Sequence, residues 1–240
     1  SVKKYLNILK KNNYIIIFLA AKVRLKNDNI ETLNINKKII YNVLINLKFI
    51  SFTKLIFFSS VDVYNLNGKN IIINERTNLG SKSYYGKSKI YCETMLRKNI
   101  PYKKLIILRL PGIYGFNSNS IINLFIQKLK KNKKVYIYNN GSNYRDYIFI
   151  NDLAEIVYLV LQKDISGVYN LSTGKSIRIR EILLIINKYL NKQKNVIFIN
   201  KSNKLNYNLF ISNKKISKKI KAIRFTKINQ GISKTIKKNA

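Results

Sequence analysis

The 240-residue sequence is long enough for one large or two small domains, and its 46% hydrophobic content excludes an intrinsically disordered chain. A single cysteine, Cys92, and the absence of histidine exclude a disulfide framework and a zinc site, so no metal is expected. The formal net charge of +36 has two explanations, polyanion binding or the codon usage of an AT-rich gene, and the even spread of lysine along the chain favours the second.

Short apolar runs alternate with helical patterns along the chain. Residues 2–12 are predicted to be helical, and the run YIIIFLAA that follows is too short to span a bilayer and is typical of a buried strand. The runs KLIFFSS, KLIILRL, KVYIY and GVYNLS are also predicted to be strands. Helices are predicted at 34–47, 84–98, 119–131, 152–162 and 178–191, before a basic tail at 192–240 with short elements.

This alternation predicts an α/β fold with a parallel sheet covered by helices on both faces. Such sheets bind ligands beyond the carboxyl ends of their strands. Ser59 and Ser60 follow the apolar run LIFF at such an end, so they are candidate site residues. A polar strand end is also common without any function, and topology alone does not decide between the two readings.

Tyr85 and Lys89 are four residues apart on a predicted helix, so their side chains share one face. An ammonium near a phenol favours the phenolate, which can act as a base toward a hydroxyl. With 17 tyrosines and 46 basic residues, about three such pairs are expected by chance, and the pair alone is a weak signal.

Seven segments in order give the pair a context. They are IIIFLAA, Asn36, LIFFSSVDVY, NERTNLGSKSYYGKSKIYCE, LRLPGIYG, GSNYRDYIFINDLA and GVYNLSTGKSIRIREI. Together they resemble the extended short-chain dehydrogenase/reductases, and within them the NAD-dependent nucleotide-sugar epimerase/dehydratase family. The resemblance implies a Rossmann-like sheet with a smaller C-terminal substrate-binding region, which divides the chain into a partial NAD-binding domain at 1–115 that also receives 148–172, and a substrate-binding region at 116–147 and 173–240.

The resemblance also implies roles for individual residues. Tyr85 matches the catalytic base, Lys89 the residue that tunes it and holds the nicotinamide ribose, and Ser60 the hydroxyl that orients the sugar. Asn36 matches a structural asparagine. Further matches are Ala20, Ala21, Ser59 and Pro111 at the cofactor, and Asp62, Gly112 and Arg145 at the substrate.

Three departures from the family pattern stand out. No glycine precedes Gly68, so the Gly-x-x-Gly-x-x-Gly turn that binds the pyrophosphate is not in this sequence, and we expect the chain to be truncated at its N-terminus. Val61 and Asp62 supply one carboxylate where dehydratases of the family carry two, which favours an epimerase or a reductase. Gly112 stands where sugar epimerases often have an asparagine.

The implied activity is that of a UDP-glucose 4-epimerase: hydride transfer to NAD, or NADP as the alternative, through a keto-sugar intermediate formed with Tyr85 as base. A nucleotide-sugar dehydratase or reductase is the nearest alternative, and a non-catalytic RNA-binding or polyanion-binding protein of the same fold, acting through its basic charge, is the other. We expect a nucleotide-diphosphate sugar as ligand, a cytoplasmic homodimer joined through the helices near 36–48 and 84–98, and no membrane association.

Overall fold

The computed structural model describes residues 13–23, 28–66, 72–201 and 207–238, so the helix predicted at 2–12 lies outside the described residues. The strands in chain order are β1 (Tyr14–Phe18), β2 (Phe52–Ser60), β3 (Ile72–Ile73), β4 (Leu105–Leu110), β5 (Gly112–Tyr114), β6 (Val135–Tyr138), β7 (Tyr144–Arg145), β8 (Tyr147–Phe149), β9 (Gly167–Asn170), β10 (Ile177–Arg178), β11 (Val196–Ile199) and β12 (Phe210–Ile211). The helices are α1 (Ile30–Leu47), α2 (Tyr84–Asn99), α3 (Ile121–Lys130), α4 (Ile150–Leu161), α5 (Ile179–Leu190), α6 (Lys214–Lys219) and α7 (Ile228–Lys238).

The chain forms two compact units. The first contains residues 1–65, 75–110 and 164–171, and the second contains residues 66–74, 111–163 and 172–240. Residues 148–163 group with the second unit, and the assignment of cofactor and substrate binding to parts of the chain stays a prediction. One contact that ties them there is made by Asp152, whose carboxylate accepts hydrogen bonds from the backbone nitrogen and the hydroxyl of Thr226, both at 2.7 Å.

The first unit is built on a parallel sheet with the strand order β1-β2-β4-β9, which confirms the predicted α/β fold. All six residues of β4 are buried, as expected for an apolar strand inside a parallel sheet. The register places Ser59 of β2 beside Arg109 of β4, and Arg109 beside Asn170 of β9. Three polar side chains therefore lie next to one another near the carboxyl end of the sheet.

Helices α1 and α2 pack together on one face of this sheet. Their apolar residues Ile40 and Leu96 share a core with Phe57 of β2 and Ile107 of β4. Helix α1 begins at Ile30 because the side chain of Asn29 accepts a hydrogen bond from the backbone nitrogen of Thr32 at 3.1 Å. The sheet and these two helices form the frame that positions the candidate site.

The second unit has its own core, in which α3, α5 and α7 pack together with β6. Its strands form short pairs: β6 with β11 and β5 with β8 are parallel, and β7 with β10 is antiparallel. Strand β12 pairs with β3. Within the described ranges, no helix has both the length and the apolar character needed to cross a bilayer.

Candidate active site

Strand β2 ends at Ser60, where the chain turns into a short 3-10 helix, Val61–Val63. The hydroxyl oxygen of Ser60 accepts a hydrogen bond from the backbone nitrogen of Asp62 at 3.1 Å and so caps this turn. Ser60 is 9% exposed. The predicted sugar-orienting hydroxyl therefore lies at the carboxyl end of the sheet, in a fixed turn.

Two side chains bind the first turn of α2, the turn that carries Tyr85. Ser83 is the N-cap, and its hydroxyl oxygen accepts from the backbone nitrogen of Gly86 at 2.9 Å. The carboxylate of Asp28 accepts from the backbone nitrogens of Tyr84 and Tyr85 at 3.2 and 2.9 Å. A carboxylate at a helix N-terminus also interacts favourably with the helix dipole, so the backbone at Tyr85 is held firmly.

Gly86 lets α2 approach the turn that follows Ser60. A β-carbon at this position would lie 2.4 Å from the carbonyl oxygen of Asp62 and 2.0 Å from the hydroxyl of Ser81. Only a residue without a side chain fits between these groups. The two predicted site segments, 59–62 and 85–89, are therefore adjacent in the first unit.

We expect Gly86→Ala to destabilise the protein by about 2 kcal/mol, although alanine normally favours a helix, because the new methyl group overlaps a backbone carbonyl that cannot rotate away. Urea unfolding of the wild type and the variant measures the difference. The double variant Gly86→Ala/Ser81→Ala is compared with Ser81→Ala, which also lacks the hydrogen bond between the Ser81 hydroxyl and the Ser83 backbone nitrogen. In this background only the contact with the hydroxyl is relieved, so the cost of Gly86→Ala should be reduced but not abolished. An unchanged midpoint in the single variant would contradict the close approach.

Lys89 is a buried cation beside Tyr85. Its side chain is on the same face of α2, the residue is 3% exposed, and its Nζ lies 5.7 Å from the centre of the Tyr85 ring and 4.7 Å from that of Phe57. The Nζ donates a hydrogen bond to the carbonyl oxygen of Phe58 at 2.7 Å. Burial lowers the pKa of Lys89 to about 8, against the opposing charge of Glu93.

Asn36 joins α1 to the segment after β1 and to α2. Its side chain accepts from the backbone nitrogen of Lys22 at 2.7 Å and donates to the carbonyl of Lys22 at 3.1 Å and to the hydroxyl of Ser88 at 2.8 Å. The predicted cofactor-binding residues Ala20 and Ala21 directly precede Lys22 and follow the end of β1. The structural asparagine thus holds the end of that segment against the helix that carries Tyr85 and Lys89.

A buried polar network, which the sequence did not reveal, begins at Ser59. Its hydroxyl donates to Oε1 of Glu93 at 2.6 Å, so the side chain of this predicted cofactor-binding residue is engaged with α2. Both carboxylate oxygens of Glu93 accept from Arg109, which also donates to the hydroxyl of Tyr64 at 2.9 Å. Tyr64 in turn donates to the side-chain oxygen of Asn170 at 2.6 Å. The network links the ends of β2, β4 and β9 to α2.

Three other predicted site residues, Pro111, Gly112 and Arg145, belong to the second unit. A β-carbon on Gly112 would lie 2.6 Å from the ring of Tyr147, so a side chain at this position would require that ring to move. The guanidinium of Arg145 lies 4.6 Å from the centre of the Tyr207 ring and donates to the carbonyl oxygens of Tyr144 and Tyr207.

The sequence was compared with protein-family models and with known proteins. Residues 2–172 match the model of the NAD dependent epimerase/dehydratase family. The chain is 31% identical to a dTDP-D-glucose 4,6-dehydratase of Dictyostelium discoideum over 70% of the chain and 43% of the relative. It is 30% identical to UDP-glucose 4-epimerase 1 of Oryza sativa subsp. japonica over 61% of the chain and 49% of the relative. The chain therefore spans less than half the length of either relative.

Solved structures share the fold. A UDP-N-acetylglucosamine 4-epimerase from Methanobrevibacter ruminantium, in complex with UDP-N-acetylmuramic acid, aligns with a TM-score of 0.84 and 25% identity over 97% of the chain and 78% of that structure. A dTDP-glucose 4,6-dehydratase from Bacillus anthracis, in complex with NAD, aligns with a TM-score of 0.79 and 20% identity over 98% of the chain and 75% of that structure. The parallel sheet of the first unit is thus the Rossmann-like sheet of these structures.

Proposed function

Since the chain belongs to the NAD dependent epimerase/dehydratase family, we propose that it forms part of a nucleotide-sugar epimerase that acts like a UDP-glucose 4-epimerase. The observation that carries the proposal is the position of Lys89: a buried ammonium beside the Tyr85 ring, hydrogen-bonded to a carbonyl of β2. A buried cation is costly to maintain, and such sites are enriched at functional centres.

The residues present fit the nicotinamide-ribose part of NAD. Among the residues that the structure describes, Lys89 has no carboxylate within ion-pair distance, so its ammonium can donate to ribose hydroxyls. Lys89 and Tyr85 would hold this part of the cofactor, and Ala20, Ala21, Ser59 and Pro111 are proposed to line it. NAD, when bound, supplies the hydride acceptor for the sugar carbon, and NADP is the alternative.

In the proposed mechanism Tyr85 moves a proton. Its phenolate oxygen accepts the proton of a sugar hydroxyl, and the nearby ammonium of Lys89 stabilises the phenolate before this transfer. Ser60, held in its capped turn, donates a hydrogen bond to the same sugar oxygen and orients it. In the reverse half of the reaction Tyr85 would return the proton to the same sugar oxygen, so its phenolate is regenerated and no proton is consumed overall.

The second unit is proposed to bind the nucleotide-diphosphate part of the substrate. Its candidate is Arg145, whose planar guanidinium matches phosphate and ribose oxygens and is held in place by the Tyr207 ring. Gly112 is proposed to contact the sugar. Asp62, which belongs to the first unit, also remains a proposed substrate-binding residue.

A dehydratase is the second candidate, because the Dictyostelium relative, 31% identical, is a dTDP-D-glucose 4,6-dehydratase. Loss of water from a sugar requires an acid and a base besides Tyr85. The segment after Ser60 offers one carboxylate, Asp62, next to Val61. This single acidic group favours the epimerase, or a reductase, over the dehydratase.

The three activities give different products from the full-length protein. With UDP-glucose and NAD, we expect UDP-galactose to accumulate to equilibrium, as followed by proton NMR. A 4-keto-6-deoxy product from UDP-glucose or dTDP-glucose would identify a dehydratase, and consumption of one NADH per keto sugar a reductase. Salt-sensitive binding of random RNA without binding of any nucleotide sugar would contradict the enzyme proposal and support the polyanion-binding alternative.

We also propose a homodimer formed through α1 and α2. Helix α1 exposes large apolar side chains that a second copy would cover: Tyr41 is 61% exposed and Ile45 is 39% exposed.

A further inference from the structure

Glu93 lies one helical turn beyond Lys89 on α2, and both residues are buried. Glu93 is 1% exposed and Lys89 is 3% exposed. A lysine and a glutamate at this spacing are neighbours on a helix and commonly form an ion pair, and burial increases their mutual attraction. Yet within the described part of the chain Glu93 pairs with Arg97 and Arg109 and not with Lys89, whose Nζ donates to Phe58 instead.

The carboxylate oxygens of Glu93 are occupied by other donors. Oε1 accepts from the hydroxyl of Ser59 at 2.6 Å and from Nε of Arg109 at 2.9 Å. Oε2 accepts from Nη2 of Arg109 at 2.7 Å and from Nη2 of Arg97 at 3.0 Å. A carboxylate offers about four lone-pair sites, so these four bonds saturate it.

Arg109 makes the strongest of these contacts, because its guanidinium binds both oxygens at once. It projects from β4, is 2% exposed, and is itself fixed by its hydrogen bond to the hydroxyl of Tyr64. The orientation of Glu93 is therefore set mainly by Arg109 of the sheet, and the half-exposed Arg97 of its own helix is a second partner.

We infer that Arg109 is a positioning residue of the Tyr85–Lys89 pair: by holding both oxygens of Glu93, it prevents Glu93 from capturing Lys89 and keeps the ammonium beside Tyr85. The contacts stand independently of the reaction, and only the consequence for turnover rests on the proposed function. If Arg109 is removed, Glu93 keeps Ser59 and the half-exposed Arg97 as partners, but each carboxylate oxygen then has an acceptor site for the buried ammonium one turn away.

Among the residues that the structure describes, the groups that face Lys89 come from two elements. Helix α2 contributes Tyr85, Cys92 and Glu93, and strand β2 contributes the Phe57 ring and the Phe58 carbonyl. Arg109, Arg97 and Ser59 act on Lys89 through Glu93. Glu93 is the acidic residue on these two elements. The experiment must therefore include a variant in which its charge is removed.

The test is a thermodynamic cycle on the stability of the full-length protein without added ligand. The substitution Lys89→Met is made in the wild type, in Arg109→Met and in Arg109→Met/Glu93→Gln, and urea unfolding is followed at pH 7. In the wild type we expect Lys89→Met to favour the folded state by about a hundredfold in the equilibrium constant, because a buried, unpaired charge is removed.

In the Arg109→Met background we expect the gain from Lys89→Met to fall at least tenfold, because Lys89 then pairs with Glu93, whose other charged partner is the half-exposed Arg97. In the Arg109→Met/Glu93→Gln background the carboxylate is gone, and Lys89→Met should favour folding by about a hundredfold again. If Arg109→Met does not fold, Arg109→Lys serves instead: it keeps the charge but cannot bind both oxygens, so the gain from Lys89→Met should fall at least threefold.

An unchanged effect of Lys89→Met in the Arg109 variants would overturn the inference, even if the enzyme turns over nucleotide sugars. A gain from Lys89→Met that falls in Arg109→Met and is restored by Glu93→Gln would support it, even if no nucleotide sugar is turned over. A purely structural role for Arg109 predicts a loss of stability that is the same with and without Lys89. The cycle therefore distinguishes a positioning role of Arg109 from a packing role. It also tests this inference independently of the proposed activity.

Discussion

Replacing Tyr85 with phenylalanine should lower kcat of the full-length protein by about a hundredfold or more, because the side chain that exchanges a proton with the sugar is lost. Binding of the nucleotide sugar should change little, since the ring and its packing remain. Initial rates with UDP-glucose measure the first effect, and calorimetric titration with UDP measures the second. The change removes a group that acts in the transition state, so kcat and kcat/KM should fall together.

Tyr84 is the matched control for this prediction. It is the neighbouring tyrosine on α2, it is 36% exposed, and its ring lies under the ammonium of Lys87, at 5.3 Å from its centre. Tyr84→Phe should leave turnover within about twofold. Equal rates for Tyr85→Phe and the wild type would show that Tyr85 is not the base.

Replacing Lys89 with methionine should stabilise the protein at neutral pH by about 3 kcal/mol while abolishing turnover. The folded state lowers the pKa of Lys89 from 10.5 to about 8, because burial penalises the charged form. For such a group the contribution to stability is full above pH 10.5 and is lost as the pH falls through 8. At pH 7 the ammonium therefore opposes folding, and methionine, which is apolar and unbranched, removes this cost.

The pH dependence distinguishes this effect from better packing. The advantage of Lys89→Met should be constant below about pH 7 and should shrink between pH 8 and pH 10.5, as the wild-type lysine loses its proton. Urea unfolding at several pH values measures it. Lys87→Met, on the exposed side of the same helix, should change stability by less than about 0.5 kcal/mol at every pH. A wild type more stable than Lys89→Met at pH 7 would contradict the account.

Local sequence patterns predicted most of the elements that support the site. The helical spacing at 34–47 predicted α1, and the structure extends it to Ile30 because Asn29 caps it. The apolar runs predicted β2, β4 and β9, although not their neighbours in the sheet. The pairing of β12 with β3 was not predictable, because each strand has two residues and the two are far apart in sequence.

The site was predictable in part. The four-residue spacing on a predicted helix placed Tyr85 and Lys89 on one face. The position of Ser60 after an apolar run placed it at the carboxyl end of a strand of the sheet. The same spacing places Glu93 next to Lys89 and would suggest an ion pair between them. Whether Glu93 binds Lys89 or Arg109 depends on a tertiary contact between α2 and β4, which no local pattern records.

Gly86 and Asp28 show the same limit of local sequence patterns. From the sequence alone, Gly86 is a residue of low helix propensity within a predicted helix. Its role, a close approach to the carbonyl of Asp62, is visible only once the turn after β2 lies against α2. Likewise, Asp28 carries no signal of its own, although its carboxylate binds the first turn of the helix that carries Tyr85.

The most direct measurement is a pH titration by NMR of the protein labelled with ¹³C at the lysine ε-carbon and the tyrosine ζ-carbon, with signals assigned through Lys89→Met and Tyr85→Phe. If the ammonium of Lys89 is buried beside the phenol, its signal titrates near pH 8, and the Tyr85 signal responds over the same range because the two groups interact. A Lys89 signal that titrates at the ordinary value near 10.4, with no response from Tyr85, would contradict the proposed site.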